Sequence, residues 1–162
     1  MAGRVKAVPD GMHTITAHLV VNGAAKAVEF YRKAFGAEVK GIHYAPDGKV
    51  MHAEIKIGDS MLFLADEFPM PGCPSSPKTL GNTSVVLNIY VENVDRLFNQ
   101  AVTAGATPTM PLSNQFWGDR YGQVTDPFGH RWALGQHVED VSPEELERRG
   151  REAFEEMAKT HA

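Results

Sequence analysis

A single cysteine, Cys73, occurs among 162 residues, so no intrachain disulfide can form. That usage fits a reducing cytoplasm, where folding relies on packing rather than on covalent staples. No apolar run approaches the roughly 18 residues that a bilayer-spanning helix requires, so no membrane partner is expected. Basic residues are not in excess: 16 Lys and Arg stand against 20 Asp and Glu, a net charge of −4. Nucleic acid and anionic membrane surfaces are therefore poor partners on electrostatic grounds. The first residues, Met1 to Gly11, contain Arg4 and Lys6 but no apolar core, which argues against a signal peptide. No glycine-rich loop follows a strand, and no acidic residue is placed to hold a nucleoside ribose, which counts against a nucleoside-cofactor enzyme. With 43% hydrophobic and 22% charged residues the composition is that of an ordinary globular domain, or of two small modules sharing a core.

Hydrophobic patterning divides the chain into similar halves. Residues 1–11 read as a tail. Met12 to Val21 is β-branched and apolar, a strand signal, and Asn22-Gly23 offers a helix start. Ala24, Ala27, Val28, Tyr31, Ala34 and Phe35 recur at helical spacing, and Gly36 supplies the stop. Val39 to Ala45 reads as a strand closed by Pro46-Asp47-Gly48. Met51, Ala53, Ile55 and Ile57 then alternate with polar residues, and Ser60 to Ala65 forms a short buried strand. The first module, residues 12–66, is thus β-α-β-β-β. Residues 67–82 hold Pro69, Pro71, Gly72, Pro74, Pro77 and Gly81, and are expected to form a linker or lid without regular structure. Cys73 lies inside it, with no base or helix start nearby to activate the thiol.

The pattern then restarts over residues 83–141. Ser84 to Val91 reads as a strand, and Asn93 to Ala104 as a helix with Val94, Leu97, Phe98, Ala101 and Val102 inward. The stretch Asn114 to Leu134 supplies three more strands: Asn114 to Trp117, Tyr121 to Thr125, and one after the turn Asp126-Pro127-Phe128-Gly129. Its density of aromatics and charges exceeds what packing alone requires, although a packed meander with a polar rim accounts for the same pattern. Ser142-Pro143-Glu144-Glu145 opens a last helix over residues 142–162, with Ser as N-cap, Pro in the first turn and Glu as capping-box partner. Its stripe of Leu146, Ala153, Phe154 and Met157, broken at Gly150, suits either the outer face of a sheet or a dimer contact.

Several blocks together carry a family resemblance. They are Val20-Val21-Asn22-Gly23-Ala24-Ala25-Lys26-Ala27-Val28-Glu29-Phe30-Tyr31-Arg32-Lys33-Ala34-Phe35-Gly36-Ala37, Met51-His52-Ala53-Glu54, Gly58-Asp59-Ser60, Tyr90-Val91-Glu92-Asn93-Val94-Asp95, Phe116-Trp117-Gly118-Asp119-Arg120-Tyr121-Gly122 and Asp126-Pro127-Phe128-Gly129. From about Thr14 to Val141 the chain resembles the vicinal oxygen chelate superfamily of glyoxalases, bleomycin-resistance proteins and extradiol dioxygenases, and most of all its PhnB-like branch. The resemblance implies an α+β fold: tandem βαβββ modules forming a cup-shaped, curved mixed sheet, here with an extra C-terminal helix, and a homodimer. In the family's metalloenzymes four strand positions hold a divalent ion such as zinc, nickel, iron or manganese. Here they fall on Thr16, Leu62 (or Phe63 with a one-residue slip), Val86 and Ala133, and none offers the imidazole, carboxylate or thiolate such ions take.

The expected function follows from that departure. A metal-free pocket for a small aromatic or apolar molecule would be walled by Phe63, Tyr90, Phe116, Trp117 and Tyr121, with His18, Asn88, Asp119, Arg120 and Arg131 orienting the guest. The alternative is a metal-dependent lyase, isomerase or dioxygenase using displaced ligands drawn from His18, His52, Glu54 and His137. A third reading is a metal-free acid–base enzyme with His52 and Glu54, two apart on one strand face, as base and partner.

Overall fold

The computed structural model describes residues 5–160, except the side chain of Thr160. Residues 1–4 of the expected tail and 161–162 of the expected last helix lie outside the described residues. The first module comprises β1 (Ala17–Val21), α1 (Ala24–Phe35), β2 (Glu38–Tyr44), β3 (Val50–Ile57) and β4 (Ser60–Asp66); the second comprises β5 (Val86–Tyr90), α3 (Val94–Ala104), β6 (Thr107–Asn114), β7 (Asp119–Thr125) and β8 (Arg131–His137). A single helical turn, α2 (Pro77–Leu80), lies between them, and α4 (Pro143–Thr160) follows. Each module makes its own four-stranded mixed sheet, in the orders β1-β4-β3-β2 and β5-β8-β7-β6. The first strand of each is parallel to its neighbour and the other pairings are antiparallel. The fold is therefore α+β with two βαβββ modules.

Each helix covers one face of its own sheet, and the two helices meet. Gln100 on α3 donates from Nε2 to the carbonyls of Lys33 and Ala34 at 2.9 and 3.2 Å. Leu19, Val21, Ala53, Ile55, Leu62 and Leu64 line the helix-facing side of the first sheet, and Val124, Trp132 and Leu134 that of the second. Tyr31 and Phe35 carry α1 onto Trp132, with ring centroids 5.3 and 4.7 Å apart. The opposite, open face of each sheet stays less buried.

Several expectations are corrected. The first strand begins at Ala17 rather than Met12, and residues 12–16 carry no strand. Within the expected start Asn22-Gly23, the glycine and not the asparagine is the cap of α1. Gly23 sits at φ 97° without a side-chain bond of its own, and Asp66 Oδ1 accepts from the N–H groups of Gly23 and Ala24, both at 2.8 Å. An acceptor at the far end of β4 thus does the capping, which local sequence does not reveal. The linker contains α2, capped by the buried Ser76, whose hydroxyl donates to Glu67 Oε2 at 2.7 Å. The expected strand Asn114 to Trp117 does not form, and Asn114 instead ends β6. Residues 115–118 turn, with Gly118 N–H bonded to the Gln115 carbonyl at 3.1 Å, and the preceding strand is β6. Pro108 and Pro111 hide β6 in the sequence; it tolerates them because it is an edge strand with irregular register. Glu145 closes no capping box: Ser142 Oγ accepts from the Glu145 N–H, while the Glu145 carboxylate binds Arg148 and Arg149. Gly150 does not break α4, which runs through it, and a Cβ there would lie 3.5 Å from Phe116. The stripe beyond it does not cover a sheet: Phe154 is 69% exposed.

Candidate binding site

Strand alternation fixes which side chains share the open face of the second sheet. Cross-strand pairing places Val86, Asn88 and Tyr90 of β5 beside Arg131, Ala133 and Gly135 of β8, and the last two beside Gln123 and Tyr121 of β7. At the far end Asp119 pairs with His137. Asp119 is only 4% exposed, and a buried carboxylate must be hydrogen-bonded. Its Oδ2 accepts from the Tyr90 hydroxyl at 2.7 Å and Trp117 Nε1 at 3.0 Å; Oδ1 lies 2.9 Å from His137 Nδ1. Burial pushes this carboxyl up, but the bonds from Tyr90, His137 and Trp117 outweigh it and hold it below the usual range. The same bonding raises Tyr90, and Asp140, then Asp119, raise His137.

Around this centre the rings form a wall. Tyr121 meets Trp117 edge-on with centroids 5.4 Å apart, and its hydroxyl accepts from Gln123 Nε2 at 2.8 Å. The Tyr90 ring is held over Gly135, where a Cβ would lie 3.2 Å from its Cε1. Tyr90 nevertheless remains 63% exposed, so its ring is available to a ligand. Asn88 and Arg131 are exposed on the same face, with Arg131 Nη2 donating to Asn82 Oδ1 at 3.1 Å.

Four expected residues are not brought here: His18 and Phe63 lie on the first sheet, and Arg120 and Phe116 turn away. Arg120 alternates to the helix-facing side, where Nε and Nη2 grip Asp95 of α3 at 2.8 and 2.6 Å. Phe116 packs edge-on against Trp117 and reaches Gly150 of α4, acting as a support behind the wall.

The open face of the first sheet gathers His18, His52, Glu54 and Phe63. His18 pairs with Phe63, and Phe63 with Glu54, in the sheet register. His52 lies 4.9 Å from the Phe63 ring and 6.1 Å from the His18 ring, and its Nε2 is 3.3 Å from Glu54 Oε1. Desolvation against these neighbours, then the His52 ring, lowers the His18 pKa, although much of the His18 side chain stays exposed. Beside it, a cavity of about 540 Å3 runs under the linker between His18, Val20, Ser75, Leu80 and His130. His130, absent from the sequence-based set, is tied to the Val20 carbonyl by Nε2 at 3.1 Å. Cys73 in the linker is exposed.

No hydrogen bond, ion pair or ring contact among the described residues joins the two faces. In particular, His137 bonds Asp119 and Asp140 and does not join His18, His52 and Glu54, so the displaced four-ligand arrangement does not form within the chain. Among the described residues no three His, Cys, Asp or Glu side chains are grouped to hold a metal. The family's own ligand positions fare no better. Leu62 turns to the helix side, and its neighbour Phe63 occupies the open face. Val86 and Ala133 lie on the open face of the second sheet, Ala133 only 1% exposed opposite Asn88. This donor set does not fit a divalent cation.

A glyoxalase/bleomycin resistance protein/dioxygenase superfamily model matches residues 11–134. The chain belongs to that superfamily. An uncharacterized protein of Mycobacterium tuberculosis, Rv0887c, is 44% identical over 135 residues, covering 82% of this chain and 79% of that protein. The crystal structure of TioX from Micromonospora sp. ML1 superposes with a TM-score of 0.63 at 25% identity, covering 78% of this chain and all of TioX. The fold is also that of a PhnB protein from Bacillus cereus described as a putative 3-demethylubiquinone-9 3-methyltransferase, with a TM-score of 0.60 at 21% identity, covering 76% of this chain and 99% of that one. None of the helices among the described residues is long and apolar enough to cross a membrane.

Proposed function

We propose that this superfamily member binds a small aromatic or apolar molecule without a metal ion, as a homodimer that brings open faces of two chains together. The observation that carries the reading is the Asp119-centred wall. A buried, fully bonded carboxylate fixes Tyr90 and Trp117, and Tyr121 packs on Trp117, at a place where the neighbouring strand positions hold Val86 and Ala133. Rigid aromatic surface with few polar groups suits stacking on a planar guest. Asn88 and Arg131 supply donors on that face, and the first module contributes Phe63 and His18 on its own. Support for a dimer comes from β1 and β5, edge strands with no partner on one side among the described residues, beside exposed Ile15, Val85, Val86 and Tyr90.

The His52–Glu54 contact at 3.3 Å favours one second reading, acid–base chemistry on the first module's face, with Glu54 orienting the imidazole. Titration of the intact protein with 2-naphthol, followed by amide NMR, tests the binding reading. Saturable shifts are expected at Tyr90, Trp117 and Tyr121, and should be lost in Trp117→Ala. Shifts confined to His18, His52 and Phe63 would move the site to the first face. The dimer is checked by sedimentation equilibrium, where a monomer at all concentrations would contradict it.

A further inference from the structure

Where the linker meets the β7–β8 turn, a small cavity carries a chemistry unlike that of the aromatic wall. It encloses about 230 Å3, and its polar lining is Lys78, Asn82, Thr125 and Arg131, with no acidic side chain. The fold builds it deliberately. Glu67 Oε2 accepts from both Ser76 and Thr79 at 2.7 Å, which fixes the turn of α2 that carries Lys78. Pro77 packs directly on Gly129, at φ 93°, where a Cβ would lie 2.9 Å from the proline Cβ; only glycine lets the linker approach this closely. Arg131 and Thr125 arrive as a cross-strand pair.

Among the described residues the cations of this cavity have no carboxylate partner, and Arg131 bonds only the Asn82 carboxamide oxygen. Neither Lys78 nor Arg131 forms an ion pair among the described residues, whereas Arg32, Arg120, Arg148, Arg149 and Arg151 all do. Asp126, in the adjoining turn, is fully occupied by Tyr31, Trp132 and the N–H groups of Phe128 and His130. Asn82 Oδ1 accepts from the Thr83 N–H at 2.8 Å and from Arg131 Nη2 at 3.1 Å, so the amide NH2 is the end left to donate. In a chain of net charge −4, two unneutralised cations, a carboxamide and a hydroxyl share one concavity.

We propose that this cavity binds the oxyanion of a small ligand, a phosphate or carboxylate group. The guanidinium fork and the ammonium supply charge-assisted bonds, and the Asn82 and Thr125 donors complete the shell. Arg131 shares its sheet face with Asn88 and Tyr90. A ligand stacked on the aromatic wall could therefore set an anionic end here. That last step rests on the function proposed above; the oxyanion site itself does not.

The test is titration of the intact protein with inorganic phosphate and, in parallel, with acetate, read by amide NMR. Saturable shifts at Lys78, Asn82, Gly129 and Arg131 are expected, with a dissociation constant on the order of 1 mM. Arg131→Gln and Lys78→Gln should each weaken binding about fivefold to tenfold, a partly exposed charged hydrogen bond being lost, and the double variant should abolish it. A response to phosphate alone, or to acetate alone, names the group. If neither anion saturates, or if the variants bind as tightly as the wild type, the proposal fails. Uncharged 2-naphthol on the wild-type protein keeps the two readings separate: phosphate binding without naphthol binding would sink only the aromatic site.

Discussion

The Tyr31 hydroxyl donates a 2.6 Å hydrogen bond to Asp126 Oδ2, joining the helix of the first module to the β7–β8 turn of the second. Trp132 Nε1 donates to the same oxygen at 2.9 Å, and Oδ1 accepts from the N–H groups of Phe128 and His130. Both partners are buried, and the phenol pKa is raised well above its usual value by burial and by the Asp126 charge. One carboxylate thus closes the turn and fastens it to α1. Removing a donor strands part of a buried charge, so Tyr31→Phe should cost about 1–3 kcal/mol. Urea unfolding measures this directly, and an unchanged midpoint would show the bond to be dispensable.

Glycines 36 and 118 both adopt positive φ, at 67° and 96°, but their surroundings differ. A Cβ on Gly36 meets open space, while one on Gly118 runs into the Glu139 carbonyl oxygen. Gly36→Ala should therefore lose only the backbone preference, on the order of 1 kcal/mol. Gly118→Ala must also displace the segment leading into α4. Thermal melts of the two variants should rank Gly118→Ala as clearly the less stable.

His137 gives the structure a defined pH response. Its bonds to Asp140 and Asp119 raise its pKa above the ordinary value of about 6.5. A raised folded-state pKa contributes stability that is complete below the unfolded value and lost as pH climbs through the folded one. The advantage of wild type over His137→Gln should therefore shrink as pH rises from about 6 to about 9. Asp119, whose pKa is lowered, stays ionised across that window and adds no slope of its own. Denaturant midpoints of the two proteins across this range check the sign, and a gap that widened with pH would reverse it.

How far the sequence announced all this depends on the range of the interactions involved. Periodicity located α1 at Ala24–Phe35, where the apolar residues recur at helical spacing, and the repeat located the two modules. It failed at β6, where Pro108 and Pro111 sit on an irregular edge, and at α2, a single turn held by Ser76 and Glu67. For the site, the aromatic wall was legible because Trp117, Asp119 and Tyr121 lie close in sequence. Tyr90 joined it only through the parallel pairing of β5 with β8. Arg120 was misplaced because its neighbours suggested a cluster, while strand alternation and Asp95 take it to the opposite face. Asp66 capping α1, and Lys78 lining one cavity with Arg131, are long-range and leave no local signal.

We propose that this superfamily member binds its ligand without a metal ion. Metal analysis of protein purified without an affinity tag, followed by thermal shift on adding zinc, nickel, iron or manganese, tests it most directly. Far less than one metal per chain and no stabilisation by any of the four ions are expected, because Thr16, Phe63, Val86 and Ala133 offer no competent donor set. One tightly held ion per site, with a melting temperature that rises on its addition, would contradict it.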